Sequence, residues 1–196
     1  MTASRNAVFT IHRGVPTHLR GAAARLYWRG LGGGLQPVPT HPRDGAALIA
    51  AVMVASRALA AVSDRGTLVG IAGLRGAQGG FLSPAAADFH QVFGGVRGGM
   101  RHLGSRLHRP GRETPDLILD GVAVRPHWRG RGVARALVAA ALQEARDLGH
   151  PALMAEVEAR NHAALAAWLA LGFHHAGRQR LGWPWHPPAH VLRRVI

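Results

Sequence analysis

The sequence contains no cysteine and no lysine, and the first absence restricts its chemistry directly. Without cysteine there are no disulfides, no thiolate metal ligands and no cysteine nucleophile. The longest apolar run, residues 46–55, is roughly half of what a helix needs to cross a bilayer. The first residues lack the apolar stretch of a signal peptide. We therefore expect a cytoplasmic protein without a membrane partner.

The charge of the chain is strongly one-sided. Its 24 basic residues are all arginine, and with 10 acidic residues they give a net charge of +14. Arginine suits phosphate, because the planar guanidinium group matches the phosphate oxygens. The alternative is a codon bias toward G and C, which produces the same composition without any selected partner. The absence of basic runs interleaved with aromatic residues argues against nucleic acid as the partner.

Length and periodicity predict one globular domain over residues 1–196. The composition is 47% apolar and 17% charged, which is typical of a globular chain. Apolar periodicity predicts the order β-α-α-β-β-β-α-β-α-β-β, an α/β (α+β) fold whose mixed sheet carries helices on both faces. Residues 75–115 have a weak helical period, and we expect them to form an extra helical insert between a hairpin over residues 58–74 and a buried strand over residues 117–124.

A glycine-rich turn follows that buried strand and opens a long helix. It reads Arg129-Gly130-Arg131-Gly132-Val133-Ala134. A turn of this kind leaves backbone N–H groups unpaired at the positive end of the helix dipole. Its glycines let an anion approach closely, and its arginines supply neutralising charge. The pattern predicts a phosphate site, with a plain basic strand-to-helix turn as the alternative.

Four features in this order resemble the GNAT superfamily, acyltransferases that take an acetyl group from acetyl-CoA. They are the strand end Val122-x-Val124-x-Pro126, the motif Arg129-x-x-Gly132-x-Ala134, Asn161, and the helix end Leu171-Gly172-Phe173. The resemblance covers a core CoA-binding segment of about residues 116–174. It implies the GNAT fold and an N-acetyltransferase that uses acetyl-CoA and no metal. It also implies direct attack on the thioester by a primary amine of a small molecule or protein, within a ternary complex.

The resemblance further implies which residues hold acetyl-CoA. The pyrophosphate would rest on the amides of residues 130–134, and the pantetheine arm would pair with the free edge of residues 122–124. An amide of that strand would polarise the thioester carbonyl. The complete set is Val122, Ala123, Val124, Arg129, Gly130, Arg131, Gly132, Val133, Ala134, Asn161 and Trp168.

The attacking amine must lose a proton, so a carboxylate or a histidine is expected to act directly or through water. Asp120 is the first candidate, because it interrupts a buried strand where desolvation raises a carboxyl pKa. A structural carboxylate that holds backbone amides or an arginine is the alternative. Glu156, on the next strand along the chain, is the second candidate. The 13 histidines are too many to rank.

One position departs from the family pattern. Many members carry a tyrosine seven residues after the asparagine, proposed to protonate the leaving thiolate, and here Trp168 stands there. The only tyrosine, Tyr27, is far away in sequence. An indole has no useful acidity, but a thiol with a pKa near 8.5 leaves readily, so we expect the acid to be dispensable. The missing tyrosine keeps open a non-catalytic acyl-CoA-binding or regulatory module.

The acceptor is not fixed by the sequence. Trp183 and Trp185 in the terminal loop either hold an apolar or cationic amine against their ring faces or pack the core or a homodimer interface.

Overall fold

A computed structural model describes residues 8–111 and 113–196, which contain eight strands and six helices. The strands are β1 (Phe9–Arg13), β2 (Ala58–Ser63), β3 (Leu68–Gly76), β4 (Gly79–Gly80), β5 (Leu117–Val124), β6 (Ala152–Glu158), β7 (His174–Gln179) and β8 (Ala189–Val195). The helices are α1 (Arg20–Leu31), α2 (Pro42–Val52), α3 (Ala86–Phe93), α4 (Gly95–Ser105), α5 (Val133–Asp147) and α6 (His162–Ala170). The predicted order of elements is confirmed; the two-residue β4 is an addition that periodicity does not predict.

The strands form one mixed sheet in the order β1-β2-β3-β5-β6-β8-β7, with β4 beside β3. Helix α5 covers one face, where Leu137 packs with Leu119 and Leu153. Helix α1 covers the other, where Tyr27 packs with Ile71. Apolar side chains on both faces of the central strands account for these two layers, and the predicted fold class is confirmed.

Residues 75–115 contain the expected helical insert, α3 and α4. Phe89 of α3 is buried against Leu48 and Val52 of α2. The two insert helices meet at Gly98, where an added Cβ would lie 2.6 Å from the carbonyl oxygen of Phe89. The insert is therefore packed against α2. None of the described helices has the length and apolar character needed to cross a membrane.

Candidate active site

The strands β5 and β6 pair over only part of their length. They run parallel, and residues Leu117–Leu119 pair with Leu153–Ala155. Beyond this point β5 pairs with β3 through residues 122–124, while residues 156–158 of β6 pair with β8. Within the described chain, residues 120–124 thus have a strand neighbour on one side only. Their backbone groups on the other side are open to a ligand that pairs as a strand does.

A cavity of about 280 Å³ lies beside this open edge of β5. Six of the residues predicted to bind acetyl-CoA line it: Val122, Ala123, Val124, Arg129, Ala134 and Trp168. Trp168 belongs to α6 and packs edge-to-face on Phe173, with 5.0 Å between ring centroids. The indole therefore forms a fixed apolar wall of the cavity.

The first turn of α5 borders the same cavity and is electropositive. Gly132, the residue before the helix, has a φ of +80°, and Gly130 has a φ of +72°. Among the described residues, no side chain caps the helix, and its first turn contains no acidic residue. The side chain of Val133 is buried, so that residue can offer a ligand only its amide. Unpaired amides at the positive end of a helix dipole fit a phosphate group.

Two of the predicted cofactor ligands, Asn161 and Arg131, also have contacts within the protein. The Oδ1 atom of Asn161 accepts a hydrogen bond from the backbone N–H of Ala164 at 3.0 Å and so caps α6. Asn161 is not among the residues that line the cavity. The guanidinium group of Arg131 lies 5.8 Å from the ring centroid of Trp128. Asn161 therefore positions the helix that carries Trp168.

The two candidate carboxylates share one arginine. The Nε atom of Arg75, on β3, is 3.6 Å from Oδ1 of Asp120, and its Nη2 atom donates to Oε2 of Glu156 at 2.7 Å. The side-chain amide of Gln179 also donates to Glu156. The side chain of Asp120 is 30% exposed and that of Glu156 is 11% exposed. Asp120 is consequently the freer carboxylate.

Burial raises the pKa of both carboxylates. For Asp120, desolvation is the largest cause, and the charge of Arg75 opposes it. For Glu156, desolvation again comes first, Arg75 opposes it, and the charge of Asp120 adds to the rise. A carboxylate with a raised pKa is a stronger base, and this is the property that proton removal from an amine requires.

Tyr27 is close to the site although it is distant in sequence. Its buried hydroxyl donates to the backbone carbonyl of Asp120. Burial raises its pKa well above the ordinary value. At the next residue, Gly121, the φ is +107° and an added Cβ would lie 3.0 Å from the tyrosine hydroxyl. Tyr27 therefore fixes the backbone where β5 leaves β6, and its hydroxyl already has an acceptor.

The chain that follows α4 lies over the carboxylates. Gly111 approaches Glu156 so closely that an added Cβ would overlap its carboxylate. His108 packs edge-on against Trp183, and burial lowers its pKa. Both Asp120 and Arg75 act on the His108 ring electrostatically. His108 is therefore a residue of the site that the sequence does not distinguish from the other histidines.

The terminal tryptophans have different environments. Trp183 is buried, and its indole N–H donates to the carbonyl of Gly34 at 2.9 Å. Trp183 therefore packs the core, which is one of the alternatives that the sequence leaves open. Trp185 stacks on it with 5.6 Å between ring centroids and is largely exposed. In the described part of the chain, no group of three or more histidine, aspartate or glutamate residues could hold a metal ion.

Comparison with known proteins defines the family. The sequence model of the acetyltransferase (GNAT) family matches residues 40–173, more than half of the chain. The chain belongs to this family. An N-acetyltransferase from Staphylococcus aureus Mu50 superposes with a TM-score of 0.68 at 15% identity, covering 94% of this chain and 100% of the other. A GCN5-related N-acetyltransferase from Kribbella flavida gives a TM-score of 0.59 at 20% identity, covering 96% and 98%.

A curated relative is similar in sequence over a shorter stretch. N-acetyltransferase 8F1 of Rattus norvegicus is 30% identical over 108 residues, which is 53% of this chain and 49% of the relative. The matched part of this chain thus spans about half the length of the relative.

Proposed function

We propose that the protein is an acetyl-CoA-dependent N-acetyltransferase that acts on a primary amine of a small molecule or protein. The observation that carries the proposal is the end of the β5–β6 pairing at Leu119, beside a cavity of about 280 Å³. The open edge of residues 122–124 fits a pantetheine arm, which carries amides along its length. The uncapped start of α5, with Arg129 beside it, fits the pyrophosphate. Acetyl-CoA supplies the acetyl group as a thioester.

In this proposal Asp120 accepts the proton of the acceptor amine, directly or through water. It lies two residues before the cavity wall at Val122, and its pKa is raised. Glu156 is occupied by two donors, so its role is to hold Arg75. A backbone amide of residues 122–124 stabilises the carbonyl oxygen as negative charge develops on it. Trp168 closes the cavity as an apolar wall and leaves thiolate protonation to water.

The anion site can be tested without straining the turn. Gly132 is a poor target, because its φ of +80° makes any side chain there unfavourable. Ala134 is exposed, lines the cavity and lies in the first turn of α5. A glutamate there repels a bound pyrophosphate while suiting the helix dipole. We expect Ala134→Glu to weaken acetyl-CoA binding about tenfold or more in calorimetry.

Two controls separate charge from size and position. Ala134→Gln has nearly the same volume without the charge, and Ala139→Glu places the charge at an exposed position further along α5. Both should bind acetyl-CoA more tightly than Ala134→Glu does. Unchanged affinity in folded Ala134→Glu would move the pyrophosphate away from α5.

Catalysis itself is tested by the release of free CoA thiol over a panel of amines. Thiol release that depends on the amine supports the enzyme. Tight acetyl-CoA binding without thiol release for any amine would favour the alternative of a non-catalytic acyl-CoA-binding module. That alternative stays open because Trp168 stands where many family members have a tyrosine.

A further inference from the structure

Helix α4 turns an apolar stripe toward solvent. Val96, Met100, Leu103 and Leu107 are between 57% and 81% exposed. Their spacing of four, three and four residues puts them on one side of the helix and its following turn. The opposite side holds the buried Gly98, which packs against α3. An amphipathic helix normally directs its apolar side inward, so this stripe indicates a surface that has a partner.

Free arginines border this α4 stripe. At about 100° per residue, Arg97 and Arg106 project on opposite sides of it. Both are exposed, and the ion pairs found over residues 8–111 and 113–196 include neither. The sequence from 95 to 107 contains no acidic residue. The surface around the stripe is therefore positive, and none of the described ion pairs neutralises these two arginines.

The orientation of α4 is fixed by contacts on its other sides. The Nη1 atom of Arg101 donates to Oγ1 of Thr40 at 2.7 Å, and its guanidinium group lies 4.4 Å from the ring centroid of Phe93. The ring of His102 lies 5.5 Å from that of Phe89. These contacts join α4 to α3 and to the segment before α2, so the stripe is exposed while the helix is packed.

We propose that α4 binds the surface of an anionic lipid bilayer. The four apolar side chains of the stripe would enter the boundary between headgroups and acyl chains. Arg97 and Arg106 would lie at the level of the lipid phosphates, with their aliphatic stems along the stripe. The net charge of +14 attracts the whole chain to such a surface. The absence of a run that can span a bilayer leads to the expectation of no membrane partner, whereas binding to the bilayer surface needs only an apolar stripe.

Two other partners fit the stripe less well. A second copy of the chain brings the same arginines and another net charge of +14, so electrostatic repulsion opposes pairing across this surface. A folded acidic protein satisfies the charge, but a ridge one side chain wide gives it little complementary area. A bilayer surface satisfies the charge and needs no matching groove.

The test is co-sedimentation of the full chain with vesicles, without acetyl-CoA, so that it does not depend on the proposed activity. We expect binding to phosphatidylglycerol vesicles and not to phosphatidylcholine vesicles. Met100→Gln/Leu103→Gln should lower the partition coefficient about tenfold or more, because it removes apolar contact without changing the charge. Leu148→Gln/Val195→Gln, at residues of similar exposure on or next to α5 and β8, should bind as the wild type does.

A second variant tests the border. Arg97→Gln/Arg106→Gln should also bind more weakly, and its binding should depend less on salt. Circular dichroism and thermal unfolding show whether each variant is folded.

Three results would overturn the proposal. If folded Met100→Gln/Leu103→Gln binds phosphatidylglycerol vesicles as the wild type does, net charge alone carries the binding. If the wild type binds no vesicles and light scattering shows a dimer that this variant lacks, the stripe joins two copies of the chain. If the wild type binds no vesicles and is a monomer, the stripe belongs to a protein partner.

Discussion

Replacing Asp120 by asparagine removes the proton acceptor that we assign to the amine and keeps the size of the side chain. The 3.6 Å contact with Arg75 is long, so little of the local packing depends on the lost charge. Asp120 does not line the cavity, and the affinity for acetyl-CoA should hardly change. General base catalysis typically accelerates a reaction by about 10²- to 10⁴-fold. We therefore expect Asp120→Asn to lower kcat near neutral pH by a factor in that range.

The pH dependence of kcat should show the ionisation of Asp120. Burial raises the pKa of Asp120, and only the ionised carboxylate accepts a proton. The kcat of the wild type should therefore rise as the pH increases through that raised pKa. Asp120→Asn should lack this limb, and its deficit should shrink at high pH, where the acceptor amine is already neutral.

Glu156→Gln should behave differently, because Glu156 and Asp120 compete for Arg75. Removing the charge of Glu156 frees Arg75 to interact with Asp120, and a closer cation lowers the pKa of that carboxyl. The acid limb should then move to lower pH with a smaller loss of kcat. Arg75→Gln should move the limb to higher pH, since it removes the cation that opposes the rise.

The assay is steady-state thiol release from about pH 5 to 9.5, with both substrates saturating and one acceptor amine throughout. The titration of the amine is then common to all variants. Normal turnover in Asp120→Asn together with a large loss in Glu156→Gln would make Glu156 the base. Normal turnover in both variants would refute the carboxylate mechanism and direct attention to His108.

Three further changes test the cavity wall, the packing of α1 against α2, and the ion pair between Arg193 of β8 and the buried carboxylate of Asp116. Trp168→Phe should keep most of the turnover, while Trp168→Ala should weaken acetyl-CoA binding by about 2 to 4 kcal/mol in calorimetry; a manyfold gain in Trp168→Tyr would show that thiolate protonation is limiting. Gly45→Ala would place a Cβ that overlaps the indole ring of Trp28 on α1. It should lower the free energy of unfolding, measured by urea denaturation, by about 1 to 3 kcal/mol. Its control Gly99→Ala, whose nearest contact is 3.5 Å, should be neutral or stabilising, and equal behaviour of the two would contradict the packing argument. Arg193→Met would remove both hydrogen bonds, 2.6 and 3.0 Å long, that Asp116 accepts from Arg193, at a cost of about 3 kcal/mol; an unchanged urea midpoint would show that the pair contributes nothing.

Local signals explain what the sequence predicts well. The strand over 117–124, the glycine turn and the helix after it follow from short-range periodicity and backbone preferences, and the structure has them at those positions. The cap at Asn161 is equally local. Its role as a cofactor ligand is implied only by the resemblance, and that role stays a prediction. One domain over residues 1–196, a cytoplasmic location and a homodimer stay predictions.

Long-range contacts explain what the sequence misses. Arg75 reaches Glu156 across 81 residues of chain, and Tyr27 reaches Asp120 across 93. No periodicity links such pairs, because strand order and the packing of α1 bring them together. The insert blurs the pattern further, since its many glycines weaken the helical period that α3 and α4 in fact adopt.

The start of α5 offers a way to separate selected arginines from a codon bias. Arg129, Arg131 and Arg135 surround the positive end of a helix that has no acidic residue in its first turn, an arrangement that destabilises the free protein. If a bound anion normally stabilises this helix start, Ala134→Glu should raise the free energy of unfolding of the ligand-free protein by about 0.3 to 1 kcal/mol. The same substitution should weaken acetyl-CoA binding. Thermal unfolding should then show a higher midpoint for the free variant and a smaller rise on adding acetyl-CoA than in the wild type. If codon bias alone explains the arginines, the free variant should have the higher midpoint, but acetyl-CoA should raise the midpoint equally in both proteins. An equal rise would therefore leave these arginines without a ligand.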